Sequence, residues 1–218
     1  MTPPIVVESV SESESLLATL EEFKDRYGFE GTADDEVLTD LLRHVTGLLA
    51  AAAGRICGGE ETLLLAQRTH LFSAGQNQQS LWLHAWPVAA VTSVKEAADG
   101  AFADADELAE DDDFRIDAAL GRLLRIGCGW LPGEAAIQVA YRAGFVPAGE
   151  TAEEGETELP PELREACLQQ AGYFWQRRAS LGLSGGSAGQ GGSVSWGGQD
   201  DLLPGVRAIV ARYGRKMG

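Results

Sequence analysis

The run from Leu159 to Arg178, LPPELREACLQQAGYFWQRR, decides how the rest of the chain is read. Its proline pair suits the first turn of a helix, where an amide has no intrahelical partner. Glu162 and Glu165 stand near the positive end of the helix dipole, and Arg177 and Arg178 near the negative end. Leu163, Ala166, Cys167, Ala171 and Phe174 recur at helical spacing and make one apolar stripe. Ala166, Cys167, Ala171 and Gly172 are small, so a second helix can come close. The spacing predicts a central helix that packs on one earlier in the chain, with the other segments attached to that pair.

The expected partner begins near Asp35 and runs to about Ile56. Thr32-Ala-Asp-Asp35 resembles a capping box with Asp in place of Glu. Val37, Leu41, Val45, Leu48 and Ala52 form one stripe, widened by Leu38, Leu42 and Leu49, and a stripe this wide demands burial on at least one face. Upstream, a helix over residues 11–27 is expected. Ser13 or Ser15 caps it, Leu16, Leu20, Phe23 and Tyr27 share a side, and Gly28 stops it. Pro3 and Pro4 block a helix before that, so residues 1–10 read as an irregular or extended lead-in.

From Glu60 the period changes from helical to alternating. Residues 62–72, 80–84, 89–95, 114–117, 121–126 and 136–141 read as short strands. Leu81 and Leu83 alternate with Trp82 and His84, and Ile137, Val139 and Tyr141 with Gln138 and Ala140. Pro87 marks an edge or a bend. Residues 99–113 form an acidic loop and 148–158 an acidic linker. The expected fold class is α+β: a helical bundle core with an inserted small antiparallel β-sheet and an extended C-terminal arm. Residues 1–58 supply the lead-in and the first bundle helices, and 60–146 the β-rich insert. Residues 147–182 supply the linker and central helix, and 183–218 the arm. Residues 182–198 are rich in Gly and Ser and bury too little apolar surface to fold alone, which predicts a flexible segment unless something holds it. Residues 202–218 read as a short helix with Pro204 near its start, basic through Arg207, Arg212, Arg215 and Lys216.

Composition narrows the function classes. Of 218 residues, 44% are hydrophobic and 23% charged, the balance of a soluble globular chain long enough to bury a core. The apolar runs are too short for a membrane span and the N-terminus has no basic-then-apolar leader, so no membrane role is expected. Cys57, Cys128 and Cys167 are widely spaced without a CxxC pair, which predicts reduced thiols in a cytoplasm, serving as small core residues. Thirty-three acidic residues against 17 basic ones give a net charge of −16. Gripping nucleic acid broadly takes clustered Lys and Arg, so that class is disfavoured. A surface that DNA passes without sticking is compatible with the charge, as is solubility alone.

Catalytic signatures are missing. Gly186–Ser193 has the Walker spacing, but Gly192 stands where the lysine must be, and the run follows a helix where a strand is required. His44, His70 and His84 fit neither an HExxH nor a Cys/His zinc spacing and read as ordinary histidines. No GxSxG elbow supports a serine triad. The carboxylates of Asp111–Asp113 and residues 153–158 lie in loops and read as solvated charge. Trp82 and Trp86 read as core or sheet-edge aromatics. No catalytic residue, cofactor or metal is expected. Trp196 stands apart, a lone tryptophan among glycines, and reads either as an anchor for a partner or as a side chain folded back on its own subunit.

Several stretches recur in a telling order. Leu20-Glu-Glu-Phe-Lys-Asp-Arg-Tyr-Gly28 comes first, then Asp35-Glu-Val-Leu-Thr-Asp-Leu-Leu42 and Gly54-Arg55, where the long helix runs out. Leu83-His-Ala-Trp-Pro-Val-Ala-Ala-Val-Thr-Ser-Val94 fits an L-x-x-x-P-[VI]-x-x-V-x-S-V strand. Gly121-Arg-Leu123, Val139-Ala-Tyr-Arg-Ala-Gly-Phe145 and the helix of residues 160–178 follow. Over residues 16–180 this series resembles the head–tail connector (adaptor) proteins of tailed bacteriophages and gene-transfer particles. The glycine-rich arm, the basic tail and the acidic lead-in Glu8–Glu14 depart from that pattern.

The resemblance implies a structural virion protein and not an enzyme. It implies a ring, usually of twelve subunits, below the portal protein in the neck between capsid and tail, assembled in the host cytoplasm. Such a ring extends the DNA channel, lets packaged DNA pass without specific binding, and docks a stopper or tail-terminator protein. Val194, Trp196, Leu202, Leu203, Arg207, Arg212, Arg215 and Lys216 are the expected contacts with the portal or another partner. The alternatives are a neck protein of another tier, such as a stopper or tail-completion protein, or a small hydrolase using His70 or His84 with nearby carboxylates.

Overall fold

The change of period near Glu60 marks a division in the fold. A computed structural model describes residues 5–10, 15–178, 185–188, 192–195 and 202–215, with side chains over 15–178 and 202–215. In chain order the elements are β1 (Ile5–Val10), α1 (Leu20–Tyr27), α2 (Asp35–Ala52), β2 (Ile56–Cys57), β3 (Glu60–Glu61), β4 (Ala66–Ala74), β5 (Ser80–Trp82) and β6 (Val88–Glu96). There follow β7 (Phe114–Asp117), β8 (Arg122–Arg125), β9 (Gly133–Ala143), α3 (Pro161–Arg177), β10 (Gly185–Ala188), β11 (Gly192–Ser195) and α4 (Pro204–Val210). The class is α+β. One compact unit draws on Met1–Leu17 and Gly54–Pro160, and a second on Ala18–Ala53 and Pro161–Gly218.

The first unit holds an antiparallel four-stranded sheet in the order β1-β4-β9-β6 and a three-stranded sheet in the order β5-β8-β7. The single small sheet expected from sequence is therefore two main sheets. The lead-in joins the larger one because Ile5-Val6-Val7 is β-branched and lies beyond the proline pair. Pro87, joined to Trp86 by a cis peptide bond, comes just before β6, an outer strand. Phe72, Leu81, Leu83, Phe114, Leu123, Trp130, Ile137, Val139 and Tyr141 make the core.

Among these apolar side chains β4 turns two cationic residue types inward, Arg68 and His70. Arg68 donates through its two terminal nitrogens to carbonyls: Ala143 at 2.7 Å, Glu61 at 2.9 Å, and Ala66 and Leu64 at 3.1 Å. His70 is 1% exposed, with Nδ1 at 3.0 Å from the Tyr141 hydroxyl, which accepts from the Ala85 amide at 3.3 Å. Burial, with the His84 ring and Arg68 nearby, pulls the His70 pKa down to about 4.

In the second unit α3 packs against both α2 and α4. Helix α1 starts later than expected: Thr19, not Ser13 or Ser15, closes a capping box with Glu22, its Oγ1 accepting from the Glu22 amide at 3.1 Å. Gly28 stops that helix at φ 71. The box expected at Thr32–Asp35 does not form; Asp34 is the cap residue and makes no side-chain bond, while Asp35 pairs with Lys24 at 2.6 Å. Helix α2 ends at Ala52, and Gly54 at φ 67 turns the chain away before Ile56. Its buried row is Leu38, Leu42, Val45 and Leu49, whereas Val37 is 58% exposed and Leu41 and Leu48 are half-buried. Both rows have helical spacing, and only the position of α3 selects between them. The stretches Gly185–Ala188 and Gly192–Ser195, expected to be a flexible arm, pair as an antiparallel ladder, which needs only backbone groups.

The small face of α3 does what its residues suggest. Ala166, Cys167, Ala171 and Gly172 are buried, and Phe174 sits half-buried with its ring 6.0 Å from that of His44. Tyr27 of α1 lies on Gly172 and donates to the Leu168 carbonyl at 3.1 Å. A methyl at Gly172 would overlap the Tyr27 hydroxyl and ring.

Two outcomes follow. Gly172→Ala gains at most about 1 kcal/mol of helix propensity, but overpacking costs about 1–3 kcal/mol, so the urea midpoint falls; a rise would show that Tyr27 has room to move. For His70, the unfolded chain binds its proton below about 6.5 and the folded chain only below about 4. Its neutral burial therefore costs nothing above 6.5, and stability is lost as pH falls towards 4, on the order of 3 kcal/mol in all. Unfolding free energies of wild type and His70→Gln from urea titrations should diverge by about that amount between pH 7 and 4.

Candidate functional site

Leu202, Val206 and Val210 are spaced four apart, and Pro204 opens the turn between them. That pattern makes α4 amphipathic, and all three side chains are buried. Two polar contacts hold its ends. Gln170, wholly buried in the middle of α3, accepts from the Leu203 amide at 3.0 Å. Beyond the helix, Tyr213 donates to Glu162 at 2.6 Å, and burial together with that carboxylate pushes its phenol up to about 12.

The opposite face of α4 is open. Arg207, Ala208, Ala211 and Arg212 are exposed. Between that face and the end of α3 runs a groove of about 650 Å³, lined by Tyr173, Leu203, Pro204, Arg207, Ala208 and Ala211 among others. Arg177 hydrogen-bonds the Tyr173 hydroxyl and lies 5.1 Å over its ring, so a guanidinium is held beside the groove. From Arg177 to the C-terminus there are six basic and two acidic residues, whereas the chain before it has eleven basic and thirty-one acidic. The groove is thus an apolar trough of small side chains with a cationic rim. Among the described residues, its lining includes no Ser, Cys, His, Asp, Glu or Lys.

The expected contact residues separate in three dimensions. Leu203 and Arg207 line the groove, Arg212 is exposed beyond it, and Arg215 is half-buried. Leu202 also borders the groove, but its side chain is buried, which suits it to hold α4 in place and not to anchor a partner. Val194 belongs to β11, and Trp196 and Lys216 lie outside the described residues. The Gln170 anchor was legible only as a polar residue on the apolar side of α3.

The other candidates for chemistry are placed as follows. His70 is sealed in the first unit's core, its ring 6.2 Å from that of His84, and His44 is exposed on α2. Among the described residues no three His, Cys, Asp or Glu side chains gather as a metal site. In the acidic loop Asp113 accepts from the Ala109 amide and from Arg125, which hold its carboxyl below the usual range, while Asp111 and Asp112 are exposed. Arg55 lies 3.6 Å over the Trp86 ring and Arg122 5.4 Å over that of Trp82. All three cysteines are free. Cys57 and Cys167 are core residues, and burial pushes the Cys167 thiol up to about 12, but Cys128 is exposed, contrary to the core role expected for it.

No family model and no curated protein matches this chain. Solved structures do. A chain in the neck of the empty gene transfer agent particle, computed with C6 symmetry, aligns with a TM-score of 0.63 at 19% identity, covering 100% of this chain and 98% of that one. A chain in the neck of the native particle, computed with C12 symmetry, aligns at 0.62 and 19%, covering 98% of each. A chain in the virion of the native particle aligns at 0.62 and 20%, covering 100% and 98%. The fold is thus shared along nearly the whole of both chains.

Gln170→Leu removes the acceptor from the Leu203 amide, a loss of about 1–3 kcal/mol. Amide exchange along α4 should quicken while β4 and β9 keep their protection. Unchanged exchange in α4 would mean that its apolar face alone holds it.

Proposed function

We propose that this chain is a structural component of the neck of a phage-like particle, an adaptor that forms a ring of identical copies below the portal protein. The observation that carries this reading is the fold shared over 98–100% of each chain with neck components of gene transfer agent particles. Copies around the ring would extend the DNA channel and offer their far side to a stopper or tail-terminator protein. The acidic body supports this role. Negative walls repel the phosphate backbone within about 8–10 Å at moderate salt, which keeps DNA mobile without a specific site.

Contact with the portal falls to residues on either side of α4 in the sequence. Val194, Trp196, Arg215 and Lys216 are assigned to it, whereas Leu202 belongs to the subunit's own interior. Deleting the whole tail would also strip α4 from α3, so point substitutions are the sounder probe. Purified full chain should bind portal complexes in a sedimentation assay, and Trp196→Ala with Lys216→Ala should weaken binding about tenfold or more. Binding unaffected by the double substitution would remove these residues from the contact. A wild-type chain that neither binds portal nor self-associates would overturn the adaptor reading itself.

A further inference from the structure

The second unit carries two surfaces of opposite character. One is the groove beside α4, apolar along its length and basic at its rim. The other is the outward row of α2. Val37 is 58% exposed, His44 is exposed, and Leu41 and Leu48 are half-buried, so the row forms an apolar ridge away from the buried Leu38, Leu42, Val45 and Leu49. Acidic residues fringe the ridge: Asp34, Glu36 and Asp40 are exposed, and Arg43 pairs with Asp40.

We infer that the ridge of α2 in one copy seats in the groove beside α4 of the next copy, and that this contact builds the ring. The inference rests on the ring reading above and names the occupant of the groove. Val37 and Leu41 would pack over Ala208 and Ala211, where small side chains leave space. Glu36 and Asp40 would face Arg207 and Arg212 at the rim. The two surfaces differ, so the contact is heterologous, and a heterologous contact repeats from copy to copy until a ring closes. The charge pattern favours a second copy as occupant. A chain of net charge −16 repels its own kind, and association needs a place where one copy is locally basic. The groove rim lies in that basic stretch.

The experiment uses full-length protein and mass photometry across rising concentration, alone and with portal complexes. Val37→Arg spoils the ridge and Ala208→Arg fills the groove; both sites are exposed, so far-UV circular dichroism and melting should stay as in wild type. Wild type should assemble, and each variant alone should associate at least about tenfold more weakly. An equal mixture of the two variants should stop at one-to-one dimers, because only one intact ridge and one intact groove remain. In a Cys128→Ser background, Val37→Cys with Ala208→Cys should give a ladder of crosslinked copies on oxidation. Variants that assemble like wild type, a mixture that forms no dimer, or a missing ladder would overturn this contact and leave the ring reading standing. Wild type that stays monomeric at every concentration, with and without portal, would remove both.

Discussion

How closely neighbouring helices can approach α3 governs the second unit. Gly172 has no side chain where the Tyr27 ring lies, and Ala166, Cys167 and Ala171 keep the same side of the helix shallow. Close approach excludes water, and burial of the α2 row then provides the main stabilisation. Ion pairs such as Arg26 with Glu165 and Arg164 with Glu22 decorate the outside, and exposed pairs of this kind contribute about 0–1 kcal/mol each. The small face positions the helices; the charges only trim their edges.

A single buried amide then decides what the tail does. Gln170 would cost energy on an apolar face if left alone. Its bond to the Leu203 amide fixes the residue just before α4 against α3. The groove exists because α4 is held there, and its basic rim follows from the concentration of arginines after Arg177. The chain thus has an acidic body and a basic end.

The first unit illustrates the opposite use of polar groups. His70, Tyr141 and Arg68 resemble catalytic residue types, yet the terminal nitrogens of Arg68 donate to carbonyls and His70 is kept neutral by burial. Such groups fix strand register and orientation, since a one-residue slip would turn both to the other face.

Periodicity alone determined the element types: the Pro160 helix, the long helix after Asp35, the strands beyond Glu60 and the short helix after Pro204 all stand near their expected positions. These depend on local spacing, which a chain carries with it. The ordered series of stretches resembles the adaptor family, and the comparison adds a fold shared with chains in gene transfer agent necks. Tertiary structure alone decided which of two equally periodic rows on α2 is buried, since that depends on where α3 lies. It also separated Leu202, whose side chain packs into the body, from Arg207 on the open face, because both sit on one amphipathic helix and only its docking tells inside from outside. The lead-in became a strand for the same reason: an extended segment has no structure until β4 offers it an edge.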